Sequence, residues 1–286
     1  MRFLVSVDIE GASGVVSGKE CSEVGLDYDR ARRWLTGDCN AAIEGVLSVD
    51  PTATFVLHDT HGLDYRNVIL DDLHPAAEVV RGQPVIFFET PDLERRTNAE
   101  APYYDAALLV GMHARSGQPG VVSHVLDDAR IKGVWLNGAP AGESHVTIAL
   151  AAYFGVPTVL VTGDQIVCGE IARWMGGEIE TAIVKESYTR YVARCLSLAA
   201  ARARIREAAS RAALRVKEGR AKARGYPAPV ALEVELDAEQ TARYCGWIPT
   251  VTWDGGRRVA IGCGTFLDAY RALLCVFWIA ESTLTP

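Results

Sequence analysis

Asp8 and Glu10 stand two residues apart where an apolar run, Phe3-Leu4-Val5, runs out into Ser6-Val7-Asp8-Ile9-Glu10-Gly11. Side chains at i and i+2 of a strand point the same way. Two carboxylates held on one face repel unless a cation or a shared proton lies between them, and a metal is the simplest reason to keep both. The plainer alternative is a strand-to-loop turn whose acids cap a helix or face water. The six histidines, at 58, 61, 74, 113, 124 and 145, bear on that choice. Phe55-Val56-Leu57 ends in His58-Asp59-Thr60-His61, and Leu108-Leu109-Val110 ends in Gly111-Met112-His113-Ala114-Arg115. Carboxylate and imidazole at about 2.0–2.2 Å suit zinc. Two carboxylates with two or more histidines can hold two ions, one carboxylate bridging, with a metal-activated water as nucleophile. His124 closes the Gly-containing loop Ser116–Ser123, where it is a natural general acid or base. Glu143, at the start of a helix, reads equally as a ligand or as a dipole-favoured cap.

These residues need strand ends to hold them. Phe3–Val7, Thr54–Leu57, Ala106–Val110 and Thr158–Val161 are short, β-rich runs bounded by Gly, Asp or Pro, and they alternate with helical patterns. Asp27 or Asp29 can cap a helix running to about Val49, and Gly142–Tyr153 and Gln165–Met175 read as further helices. The expected fold is α/β: a mostly parallel sheet flanked by helices, with sites at the carboxyl ends of its strands. An Ala-Arg helix over Ser197–Glu218 leads into Gly225-Tyr226-Pro227-Ala228-Pro229. Beyond it come an alternating strand, Val230–Leu236, a hairpin around Asp254-Gly255-Gly256 and a closing helix, Thr265–Glu281. The expected division is a catalytic α/β domain over 1–190 and a smaller α+β domain over 191–286.

The chain has 286 residues, 49% hydrophobic and 23% charged, enough for a substantial core. A net charge of −7 disfavours nucleic acid or an anionic membrane as the main partner. The arginines between Ala199 and Arg224 alternate with alanines, the pattern of a solvated helix face. Seven scattered cysteines without a C-x-x-C pair fit a reducing compartment. No signal segment is recognisable, and the uncharged stretch Ala272–Ala280 is far shorter than the roughly 20 residues of a membrane span, so a cytoplasmic protein is expected.

The chain resembles the DppA-type D-aminopeptidases, the M55 metallopeptidases, from end to end. The marks are Ser6–Gly11, Asp59-Thr60-His61, Leu73-His74-Pro75, Gly111–Arg115, Pro119-Gly120-Val121 with Ser123-His124, Asn137-Gly138 with Gly142-Glu143, and Val184-Lys185 through Cys195-Leu196-Ser197. The resemblance implies two zinc ions held by Asp8, Glu10, His61, His113 and Glu143, with His124 as the catalytic histidine. It favours His61 over His58 as ligand and leaves His74 structural. It further implies a homo-oligomer, a ring-like decamer around an inner chamber that admits short peptides or small amides. His145 and the segment Val15–Cys21 lie outside the family pattern, and His145 either lines the pocket or faces solvent. Arg115 and Lys185 are candidates for carboxylate or oxyanion contact. The implied activity is a D-stereospecific aminopeptidase. The alternatives are an L-selective aminopeptidase, a deacylase or amidase of a specialised small amide, or a metal-dependent binding protein without turnover. Pocket walls, which the motifs do not report, decide among the enzymes.

Overall fold

The computed structural model describes residues 1–62, 65–82 and 103–282. Seven strands form the first sheet: β1 (Arg2–Val7), β2 (Thr54–Asp59), β3 (Ala77–Val80), β4 (Ala106–Met112), β7 (Thr158–Asp164), β8 (Glu180–Thr189) and β9 (Val192–Cys195). Their order is β3-β2-β1-β4-β7-β8-β9, and every pair is parallel except the β8–β9 hairpin. Five strands form the second sheet: β5 (Ile131–Leu136), β6 (Ala139–Ala141), β10 (Val230–Leu236), β11 (Val251–Thr252) and β12 (Arg258–Cys263). It is antiparallel, in the order β11-β12-β10-β5-β6.

Strand alternation explains how the layers stack. Phe3, Val5 and Val7 of β1 face a core shared with α2 (Tyr28–Leu47) and α5 (Leu198–Lys217). Leu4 points the other way, with Val56 and Ala107, into a core that also holds Val134, Leu232 and Val234 of the second sheet. That second core is closed by α3 (Glu143–Tyr153), α6 (Glu239–Cys245) and α7 (Phe266–Ser282). A third cluster packs α4 (Gln165–Trp174) against Leu109, Met112 and Val161. Strands covered on both faces are mostly apolar, as the runs Phe3–Val5, Ala106–Val110 and Val159–Val161 of β1, β4 and β7 are.

Sheet membership cuts across the division expected near residue 190. The β5–β6 hairpin lies before that point yet pairs with β10 in the second sheet, Val134 opposite Val234. The β9 strand and α5 lie after it yet belong to the first layer, because a tight turn folds β9 back on β8 and the alanine face of α5 packs on α2. Ala201, Ala208, Ala209, Ala212 and Ala213 are buried there. The arginines on the exposed side of α5 also reach neighbouring acids: Arg206 Nε donates to Glu44 Oε2 at 2.9 Å and Arg211 Nε to Glu180 Oε2 at 2.8 Å, across to α2 and β8. Ser197 caps α5 through the Ala200 amide, whereas Asp27 precedes α2 without a side-chain cap bond. No helix among the described residues is long and apolar enough to cross a membrane.

The chain runs from β1 outward to β2 and β3, then crosses to β4 and β7, so the strand order reverses between β1 and β4. Such a switch point opens a crevice at the carboxyl strand ends. Two glycines bring the ends together. The Gly11 amide donates to Gly111 O at 2.7 Å, and a Cβ on Gly11 would stand 1.9 Å from Met112 O. Gly111 has φ +78°, and a Cβ there would stand 2.0 Å from Asp8 O.

Candidate metal centre

Asp8 and Glu10 follow β1, His61 follows β2 and His113 follows β4, so three neighbouring parallel strands end at one place. Glu143 enters at the first turn of α3 and His124 from the loop between β4 and β5. Asp8 Oδ1 lies 3.4 Å from His61 Nδ1, and Asp8 Oδ2 lies 3.4 Å from His113 Nε2. Glu10 Oε2 is 3.7 Å from His61 Nδ1, 3.3 Å from His113 Nε2 and 3.5 Å from His124 Nε2. Glu143 Oε1 is 3.1 Å from His113 Nε2 and 3.9 Å from His124 Nε2. The rings of His113 and His124 stack at 4.2 Å with 8° between their planes.

Backbone carbonyls fix the imidazoles. His61 Nε2 lies 3.1 Å from Cys21 O, His113 Nδ1 3.0 Å from Ala114 O, and His124 Nδ1 2.7 Å from Val122 O. A carbonyl only accepts, so each of these nitrogens carries the hydrogen. In the neutral ring the opposite nitrogen is then a bare lone pair, and all three point at carboxylate oxygens. Buried His113 Nε2 makes no aligned hydrogen bond. Lone pairs facing carboxylates at these distances need a cation between them or a proton on each ring.

A metal fits that demand. Donors about 2.0–2.2 Å from a tetrahedral zinc stand about 3.3 Å apart, close to the separations found here. Three groups among the described residues each offer ligand atoms within 4.8 Å of one another: Asp8–Glu10–His61, Asp8–His113–Glu143 and Glu10–His113–His124. The first two share Asp8 and together contain all five expected ligands; the third adds His124 as a possible donor.

Without a cation the cluster titrates as a proton-sharing network. Burial opposes the charge of Asp8, but the hydrogen bond to His61, the charges of His113 and His61 and the Glu10 amide hold its carboxyl at about 2. Burial alone would lower His61, yet Glu10 and Asp8 raise it to about 9. His113 is raised well above its ordinary value against the same burial by Glu143, Glu10 and Asp8, and Glu143 is lowered in return, chiefly by His113 and His124.

A cavity of about 380 Å³ opens beside the cluster. Glu10, His61, His124 and Glu143 line it, with Thr60, Tyr65, Asp127, Phe277 and Glu281 among its walls. Tyr65 has φ +47°, a conformation a bulky residue adopts only when its surroundings impose it. Here Asn67 bonds to Asp59 and to His61 O, and the Val68 amide bonds to Asp59, tying the segment behind Tyr65 to the end of β2. Sequence patterns carry no sign of Tyr65, nor of Phe277 and Glu281 on the closing helix, because pocket walls have no fixed spacing.

The remaining candidates lie elsewhere. His58 is buried within β2, opposite Ser6. His74 Nδ1 accepts from the Ala76 amide at 3.1 Å, a turn contact. His145 neither lines the cavity nor faces solvent: it is buried, its Nδ1 accepts from Gly142 N at 3.2 Å, and its ring packs on Trp174. Burial, aided by Arg115, lowers it to about 4. Arg115 pairs with Glu170 at 2.8 Å, and Lys185 is buried against backbone carbonyls, so neither meets the cavity.

A family model described as D-aminopeptidase, Peptidase_M55, matches residues 1–275. A D-aminopeptidase of Bacillus subtilis (strain 168) is 28% identical over 284 residues, covering 99% of each chain. The solved structure of a Zn-dependent D-aminopeptidase from Bacillus subtilis, DppA, described as a self-compartmentalizing protease, superposes with a TM-score of 0.89 at 26% identity over 100% of both chains.

Proposed function

The chain belongs to the M55 peptidase family, the D-aminopeptidases, and on that premise we propose that it is a zinc-dependent aminopeptidase that removes an N-terminal D-residue from short peptides or amino acid amides. The observation that carries the reading is the set of three fixed imidazole lone pairs facing three carboxylates at the edge of one cavity. We assign two zinc ions to Asp8, Glu10, His61, His113 and Glu143. Asp8 serves both groups, since its Oδ1 faces His61 and its Oδ2 faces His113. Zinc, when bound, would acidify a water and polarise the scissile carbonyl.

The chain's own groups do the rest. His124 lines the cavity with Nε2 inward, and its bond to Val122 O keeps that nitrogen free to take a proton. We assign it the transfer of the proton from the attacking water to the leaving amine, which makes it the acid/base and not a ligand. The Leu126 amide donates to Glu143 Oε1 at 2.8 Å and holds that carboxylate in place. The cavity volume sits at the small end of ligand pockets and suits a short substrate.

We also propose a closed homo-oligomer, a decamer, with the 191–286 region contributing to assembly and to the chamber walls. The self-compartmentalizing character of the similar Bacillus protein supports it, as do Trp247 and Trp278, exposed in that region at 73% and 41%. Seven unpaired thiols support a cytoplasmic setting. The functional test is hydrolysis of matched D- and L-alanyl dipeptides and amides by zinc-loaded and chelated protein. Zinc-dependent cleavage confined to the D series is expected. Cleavage of the L series alone, or of neither, would leave the metal site standing and overturn the substrate.

A further inference from the structure

Lys185 stands on β8, 1% exposed, its ammonium buried in the loop that follows β1. Nζ donates to the carbonyls of Glu10 at 3.0 Å, Ala12 at 3.0 Å and Val15 at 2.6 Å. Three donated bonds match the three N–H groups of an ammonium, and a neutral amine would leave one carbonyl without a donor. The same loop is closed further on: the Val16 and Ser17 amides donate to Glu20 Oε2 at 2.8 and 3.0 Å, in the capping box that opens α1 (Gly18–Cys21). The last residue of α1 is Cys21, whose carbonyl fixes the ring of His61.

Both ends of this loop therefore act on the metal centre. Glu10 begins it, and the carbonyl that orients His61 ends it. His113 and Glu143 take their orientation from elsewhere, from Ala114 O and the Leu126 amide. We propose that Lys185 is a positioning residue: through the loop from Glu10 to Cys21 it sets the geometry of Glu10 and His61, and so governs the affinity of the one ion that these two share with Asp8. The proposal rests on the two-ion assignment above.

Lys185→Met keeps the stem of the side chain and removes its donors. Titration of the metal-free protein with Zn²⁺ by calorimetry, and with Co²⁺ by its visible spectrum, reads each ion separately. Wild type should take two ions. In Lys185→Met one of them should weaken about 10- to 100-fold, the usual cost of losing an outer-shell partner, while the other keeps its affinity and its Co²⁺ bands. Turnover should return at saturating zinc, which a general loss of structure would not allow. If Lys185→Met does not fold, Glu20→Ala decides, since the half-buried Glu20 closes the same loop from outside the cavity and should weaken the same single ion. Equal weakening of both ions, or unchanged affinities in the variant that folds, overturns the proposal. A wild-type protein that takes fewer than two ions overturns the two-ion assignment instead.

Discussion

Each clustered histidine gives one nitrogen to a main-chain carbonyl and turns the other toward acids, so a proton and a metal compete for the same lone pair. His124→Ala should keep its metal and lose about 10²- to 10⁴-fold in kcat, the usual worth of a positioned acid/base. Glu10→Ala should lose metal as well as turnover, since Glu10 faces three imidazoles. Metal analysis beside kinetics checks both, and near-normal turnover in His124→Ala at full occupancy would remove its assigned role. The competition also shapes stability. In the metal-free protein His61 is raised from 6.5 to about 9, so its contribution is complete below about 6.5 and is lost as pH rises through about 9. Asp8, lowered from 3.8 to about 2, contributes fully above about 3.8 and is lost as pH falls through about 2. Metal-free protein should therefore lose the His61 contribution as pH rises from about 6.5 through 9, and zinc, which replaces the proton on His61, should remove the alkaline decline. Thermal melts with and without chelator test this; an alkaline decline that zinc leaves untouched would refute it. At this scale Asp8, Glu10 and His113 were legible because they follow strand ends, whereas Glu143 and the choice of His61 over His58 rested on the family resemblance. The carbonyls that aim the rings were not, because any residue type supplies one. Lys185 and Arg115 read as anion contacts only because sequence does not show which way a long cation turns.

Strand ends bring the ligands together, and Gly11 and Gly111 let β1 and β4 cross at contact distance. Gly111→Ala combines a φ of +78° with a Cβ 2.0 Å from Asp8 O. It should cost about 1–3 kcal/mol or more and weaken metal binding with it, because Asp8 must move; denaturant unfolding and metal titration read the two effects. On α5 the apolar side should outweigh the charged one. Ile205→Ala removes a fully buried side chain and should cost about 2–5 kcal/mol, whereas Arg206→Ala breaks an exposed pair with Glu44 worth about 0–1 kcal/mol. The reverse ranking in chemical denaturation would show that the arginine pairs, not the alanine seam, hold α5 on α2. The long helices, the core strands and the late hairpin were readable from periodicity and turn residues. The β5–β6 and β8–β9 hairpins were not, since short strands of mixed polarity carry little periodic signal; the one local mark of β5–β6 is the Asn137-Gly138 turn, both residues at positive φ (+49° and +78°).

The two sheets share one core, with Leu4 and Val56 of the first packed in the same cluster as Val134 and Val234 of the second. A cut near residue 190 would divide both layers. For that reason a fragment over 1–190 should not fold as a unit, a point that near-UV circular dichroism would check. Composition showed that a break in texture exists near Gly225, but pairing between β5 and β10 is a long-range fact with no local mark. Light scattering bears on the assembly, and a clean monomer at micromolar concentration would end the chamber proposal. The cavity joins distant parts of the chain: its ligands all precede residue 150, while Phe277 and Glu281 come from α7. During synthesis the ribosome thus releases every metal ligand before it releases the helix that completes the cleft. Since residues 1–190 should not fold alone, the emerged ligands wait unassembled until α7 follows them, and no half-made cleft precedes the finished one.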